Sequence, residues 1–244
     1  MAVNGVLPTT NPDGAFDDDG WAVRPVLGPD EVADLRAAVA AYLDRVVDAL
    51  LVPVDETHPS AGLDERLERI SAGDDPSLAA LLATAVGTDA QRDPMVAGLV
   101  DHQAVHAAVG ELTGREVEGG TVRVRCNVPS LPNRREPWHT DVVVDDGLPC
   151  SRVRTTCWIP LFDIGPGVGG LEVVTGRRSE APTHESMGPG LGIPEDDLGP
   201  GERVAVECAA GDGVFLDRFT PHRTLAPADG RVRWSVVLWL RHVE

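Results

Sequence analysis

A chain of 244 residues with 42% apolar content is long enough to bury a sizeable core as one large domain. Its 39 acidic against 21 basic residues leave a net charge of −18, which excludes sequence-independent binding to nucleic acid or anionic membrane, because both need basic surface. No apolar run approaches the ~20 residues of a membrane span, and no basic segment followed by an apolar one opens the chain.

Residues 1–19, polar and rich in Pro, Gly and Asp, read as a loose arm. Trp21 to Leu27 reads as a short strand. Gly28-Pro29-Asp30-Glu31 has the chemistry of a helix start, with Pro in the first turn and acids at the positive end of the dipole. Val32, Leu35, Val39, Tyr42, Leu43, Val46 and Leu50 follow at helical spacing, giving one apolar stripe that needs a flat partner. A short helix is expected over Pro76–Ala85, and Asp93 to Leu112 reads as a second long helix closed by Gly114. His102 and His106 stand at i, i+4 in it, a spacing that can bind zinc. Gln103 replaces the metalloprotease glutamate, so both are read as ordinary helix residues.

From Thr121 the period switches to two. Val122, Val124, Cys126 and Val128 share one face of a strand, while Arg123, Arg125 and Asn127 share the other. Arg152 to Ile159 repeats the pattern, with Arg152, Arg154, Thr156 and Trp158 on one face. Further strands are expected at 170–174, 202–207, 213–219 and 231–241. Helices followed by many short strands predict a mainly β, α+β domain over residues 1–244. Residues 20–114 would be helical support packed on one face of a sandwich or closed barrel formed by residues 115–244. The Gly- and Pro-rich stretch 177–201 has no period and reads as a lid or a disordered insert. Cys126, Cys150, Cys157 and Cys208 show no metal or disulfide spacing, so they read as buried apolar residues of a cytoplasmic protein.

Chemistry concentrates at Pro137-Trp138-His139-Thr140-Asp141. In an extended segment the His-x-Asp spacing puts two ligands on one side and Thr140 on the other. His222, after the apolar run Gly213 to Leu216, offers a third. Two histidines and one carboxylate make the facial triad of non-haem Fe(II) oxygenases, with coordination positions left open. If the last two strands pair about a turn at residues 226–229, His222 lies opposite Arg233 and Thr224 opposite Arg231. A guanidinium beside a metal ligand is what 2-oxoglutarate needs: it chelates iron at one end and takes a bidentate arginine at the other. All 21 basic residues are Arg, so any anion site here must use guanidinium.

These residues and their order resemble the phytanoyl-CoA dioxygenase (PhyH-like) family of Fe(II)/2-oxoglutarate oxygenases. The resemblance rests on Asp19-Gly20-Trp21 with its following helix, the triad His139, Asp141 and His222, Thr224 two residues past the distal His, and Arg233 eleven past it. Trp158-Ile-Pro-Leu, Gly169-Gly-Leu-Glu-Val-Val and Ala210-Gly-Asp-Gly-Val-Phe-Leu add to it. It implies a double-stranded β-helix (a cupin-like jelly roll), Fe(II), 2-oxoglutarate as co-substrate and dioxygen. The co-substrate would be held by Arg233, Thr224, Trp158 and Asn127. Asp141 would favour hydroxylation, desaturation or ring chemistry over halogenation, since related halogenases lack that carboxylate. Where the family commonly reads Pro-Gly-Ser-His, this chain has Thr175-Gly176-Arg177-Arg178-Ser179, and a long-chain acyl-CoA is not expected. Arg123, Arg125, Arg152, Arg154 and Arg178 are the candidate contacts to a small carboxylate-bearing substrate, an amino acid or natural-product intermediate, in a monomer or homodimer. Two other readings share the triad: a cupin-like Zn or Mn isomerase or hydrolase, and a non-catalytic ligand-binding jelly roll.

Overall fold

A computed structural model describes residues 16–53, 57–73, 75–141, 152–187 and 190–243. Most of the expected loose arm, and Cys150, lie outside the described residues. The arm's last turn, α1 (Phe16–Asp19), is instead a short helix whose Phe16 is buried in the core.

The long helix α2 (Pro29–Ala49) forms as its caps and stripe predict. Glu31 accepts a hydrogen bond from the Gly28 N–H at 2.8 Å, and Val32, Leu35, Val39, Leu43, Val46 and Val47 are buried, whereas Leu50 is exposed. Each such burial is worth roughly 1.5–3 kcal/mol. Two helices extend beyond expectation. α3 (Arg66–Gly73) lies in the charged stretch, and α4 (Pro76–Ala90) runs five residues past Ala85, its first turn capped by the Asp75 carboxylate. The expected single helix over Asp93–Leu112 is broken into α5 (Pro94–Ala97), a 3₁₀ turn (Gly98–Asp101) and α6 (Gln103–Thr113). The break falls at His102, whose extended backbone (φ −65°, ψ 129°) makes it an N-cap. His102 pairs with Glu31 at 3.2 Å and His106 meets the Val100 carbonyl at 3.0 Å, so both serve helix packing.

The β core has two sheets. The larger takes β1 (Trp21–Pro25), β2 (Val117–Asn127), β3 (Thr155–Pro160), β8 (Asp212–Asp217) and β10 (Arg233–His242), in the order β1-β8-β3-β10-β2. The smaller takes β4 (Leu171–Val174), β7 (Arg203–Ala205) and β9 (His222–Thr224), in the order β7-β4-β9. All of these pairs are antiparallel. The helices cover the outer face of the large sheet through Val124, Cys157, Ile159, Phe215, Trp234, Val236 and Leu238, which is the apolar back that period two predicted. Trp21, Val23, Leu171, Val173, Val214 and Leu216 fill one part of the space between the sheets. The rest of that space holds the polar residues below.

Residues 177–201 are more ordered than a bare insert. They contain the hairpin β5 (Glu185–Met187) and β6 (Gly190–Gly192), and Ile193 and Leu198 are buried with Trp138 and Val174. Cys157 and Cys208 are buried, and burial pushes the Cys208 thiol up to about 12. Among the described residues no helix is long and apolar enough to cross a membrane.

Candidate metal centre

His139, Asp141 and His222 converge, with one ligand atom from each lying within 4.8 Å of the others. His222 opens β9, and His139 lies on the free edge of that strand. Their backbones exchange two hydrogen bonds of 2.9 Å, and Asp141 follows two residues on, with the buried Thr140 between them. His139 Nδ1 faces the Pro137 carbonyl at 2.7 Å and His222 Nδ1 the Thr220 carbonyl at 3.0 Å. A carbonyl only accepts, so each Nδ1 carries the hydrogen and each Nε2 lone pair turns to the centre, 4.0 and 3.5 Å from the Asp141 oxygens.

Asp141 Oδ2 accepts the Thr156 hydroxyl at 2.6 Å. Burial opposes its ionisation, but His222, His139, Thr156 and Trp239 together hold its carboxyl below the usual range. Burial and the neighbouring His139 lower His222 to about 4, leaving its imidazole neutral and able to donate a lone pair. Two imidazoles and one carboxylate are the donor set of a first-row divalent metal. These are the only three-residue ligand cluster among the described residues.

The centre lines one wall of a cavity between the two sheets. Arg233, Thr224, Trp158 and Asn127 line it as well, with Ser235 and Trp239. Arg233 is buried; its guanidinium pairs with Asp229 and packs 5.7 Å from the Phe162 ring, while its Nε is buried without a partner. Asn127 donates to the Leu225 carbonyl at 2.8 Å.

The expected hairpin between the last two strands does not exist. β9 pairs with β4, placing Leu171 opposite Thr224 and Val173 opposite His222, while β10 pairs with β2 and β3 and sets Arg233 opposite Asn127. The chain crosses from the small sheet to the large one after Leu225, because β10 buries itself between two neighbours instead of returning along an edge. His222 and Arg233 therefore reach one cavity from opposite walls. Arg231 is on the surface, 3.9 Å from Asp64.

Solved structures put this arrangement in context, although no protein-family model and no curated protein matches the chain. AviO1 from Streptomyces viridochromogenes Tue57 aligns at a TM-score of 0.55 and 22% identity over 93% of this chain and 91% of its own. The non-heme alpha ketoglutarate dependent carbocyclase SnoK from nogalamycin biosynthesis gives 0.54 and 21% over 97% and 87%. EctD from S. alaskensis, solved with 2-oxoglutarate and 5-hydroxyectoine, gives 0.54 and 23% over 99% and 78%. The fold is that of the non-haem 2-oxoglutarate oxygenases.

Within this fold the five candidate substrate arginines separate. Arg125 lines the metal cavity but is ion-paired with Glu136. Arg123 and Arg125 also line an adjoining cavity that reaches Asp141 and Trp239, and both guanidiniums lie over the Trp239 ring, at 5.8 and 5.7 Å. Arg152, Arg154 and Arg178 are outside both cavities. Arg152 is exposed ahead of β3, Arg154 begins a different cavity, and Arg178 donates to the Leu198 carbonyl at 2.7 Å. Strand alternation was extrapolated past the start of β3 at Thr155, where the sheet ends. Glu172 points outward to Arg223. Sequence reasoning missed Trp239 and Arg241, which share the inward face of β10 with Arg233 and Ser235 and were legible from period two.

Proposed function

We propose that this chain is an Fe(II)- and 2-oxoglutarate-dependent dioxygenase that oxidises an aliphatic C–H bond of a small carboxylate-bearing metabolite. The observation that carries the reading is the pairing, across one cavity, of the His139–Asp141–His222 cluster with the buried Arg233, whose Nε has no protein partner. An isomerase or hydrolase built on the same triad has no use for that guanidinium beyond its pairing with Asp229 at one edge.

His139, Asp141 and His222 would hold iron, and Arg233 with the Thr224 hydroxyl would take the far carboxylate of 2-oxoglutarate, Trp158 and Asn127 bounding its place. Iron and co-substrate together supply the oxidising chemistry, with dioxygen consumed and 2-oxoglutarate converted to succinate and carbon dioxide. The protein positions and protects. Thr156 holds the Asp141 carboxylate in one orientation, the backbone carbonyls at Pro137 and Thr220 hold the rings, and Trp239 separates the centre from the adjoining cavity where substrate would lie. Arg123 would meet its carboxylate there. The hairpin of residues 185–192 would act as a lid, since His184 accepts the Thr140 N–H at 3.1 Å beside the cluster.

The test is succinate release from Fe(II)-loaded protein over a panel of small carboxylic acids, alongside the visible band of the iron–2-oxoglutarate chelate. A band that forms in the wild type and not in Arg233→Ala supports the assignment. No band in the wild type overturns it.

A further inference from the structure

A further cavity shares no lining residue with the metal cavity or with the one adjoining it. It lies at the far end of the large sheet, where β3 begins and β8 and β10 end. In a chain of net charge −18, its walls are basic: Arg115 after α6, Arg154 before β3, Arg178 after β4, Arg218 after β8 and His242 at the end of β10. Arg177 also faces it but is neutralised by Asp17 and Asp217.

Three features make this more than a solvated rim. Buried polar atoms with no hydrogen-bond partner are few among the described residues, and three line this one cavity: Thr155 Oγ1, Arg178 Nε and His242 Nε2. Thr155 is 1% exposed, so water reaches its hydroxyl poorly. The positive charges are also crowded: burial and then Arg154 lower the Arg218 pKa against the pull of Asp217, and burial followed by Arg154 and Arg115 lowers that of His242 to about 4, which leaves its imidazole neutral. A buried polar atom without a hydrogen-bond partner is unfavourable, and a single polyoxygen anion can supply acceptors to Thr155 and Arg178 and a partner to His242 together.

We propose that this cavity is an anion site for a phosphate group. A planar carboxylate offers two oxygens; a phosphate offers three or four, directed apart, which suits a hydroxyl, an imidazole and guanidiniums arriving from separate elements. The site stands independently of the oxygenase reading.

The test uses metal-free full-length protein and inorganic phosphate, with acetate and chloride at matched ionic strength, followed by the unfolding midpoint and calorimetry. Phosphate should stabilise the wild type more than acetate or chloride. Arg218→Ala, and separately the exposed Arg115→Ala, should weaken phosphate binding about tenfold or more. Thr155→Val should leave the phosphate-free protein at least as stable, because it removes an unpartnered hydroxyl, yet bind phosphate less tightly. Glycerol 3-phosphate binding as well as inorganic phosphate would assign the site to phosphate esters, and binding of the inorganic ion alone would assign it to free phosphate. Equal responses to phosphate and acetate, or undiminished phosphate binding in both arginine variants, would overturn the proposal.

Discussion

His139 and His222 are hydrogen-bonded to each other through their backbones, N–H to carbonyl in both directions at 2.9 Å, with ring centroids 4.3 Å apart. Two candidate ligands 83 residues apart in the chain are thus held as backbone neighbours by the fold itself. What remains adjustable is Asp141, held by Thr156. Removing a hydrogen-bonding partner of a metal ligand typically costs about 10–100-fold in affinity. Thr156→Val should weaken Fe(II) or Mn(II) binding by that amount with little loss of stability, whereas Asp141→Ala should abolish turnover. Unchanged metal affinity in Thr156→Val would mean that the carboxylate is fixed by other contacts.

Arg233 and Arg231 give a clean comparison, since both are arginines on one approach to β10 and only Arg233 is buried in the cavity. Loss of a charge-assisted bidentate contact costs about 3 kcal/mol, roughly a hundredfold. Arg233→Ala should raise the 2-oxoglutarate concentration needed for half-maximal succinate release by that factor, and Arg231→Ala should leave it nearly unchanged. A larger effect in Arg231→Ala would place the co-substrate elsewhere.

The convergence of His139, Asp141 and His222 was legible because its signal is chemical: His-x-Asp on an extended segment and a distant His after an apolar strand. The helical face of the large sheet was legible because Val122, Val124 and Cys126 alternate with Arg123 and Arg125. The partner of β9 was not legible. His222 and Arg233 lie close enough in sequence for a hairpin, and the choice of β4 over β10 depends on burying β10 from both sides, a property of the whole sheet. Arg152 and Arg154 failed differently, because period two says nothing about where a strand stops.

Gly20 supports the distal histidine from the other end of the chain. Its φ of +76° is in the left-handed region, and a Cβ there would come within 2.7 Å of Thr220 Oγ1. That hydroxyl donates to the Gly20 carbonyl at 2.6 Å, while the Thr220 carbonyl receives His222 Nδ1. Gly20→Ala should cost about 1–2 kcal/mol for the backbone alone and also weaken metal binding, read by urea unfolding and metal titration. Lost stability with intact metal affinity would show that the Thr220 link does not reach the site.

His242 predicts acid sensitivity of the metal-free protein. Burial, Arg154 and Arg115 lower its pKa from 6.5 to about 4. Between those values the unfolded chain binds a proton that the folded one does not, so stability falls as pH drops through that window. His222 acts with the same sign. His242→Gln should therefore flatten part, and only part, of the decline in urea midpoint between pH 6.5 and 4; an unchanged slope would mean that the folded imidazole titrates normally.

Substrate recognition is the prediction that the arginine geometry sharpens most. Glu136 occupies Arg125, whereas Arg123 has only the Trp239 ring for company among the described residues, and Arg241, lining the same cavity beside Asp141, has a buried Nε without a partner. A carboxylate held between Arg123 and Arg241 would lie across Trp239 from the metal cluster, leaving the rest of a small molecule to reach past the ring. Once a substrate is found, Arg123→Ala should raise its KM about 10–100-fold with little change in the 2-oxoglutarate requirement, and Arg241→Ala should act in the same direction. The neutral amide of that substrate should show a similar defect with wild-type enzyme and no further defect with Arg123→Ala, because the variant has already lost the partner that the amide lacks. An amide turned over as well as the acid, together with unimpaired Arg123→Ala, would leave the carboxylate without a role.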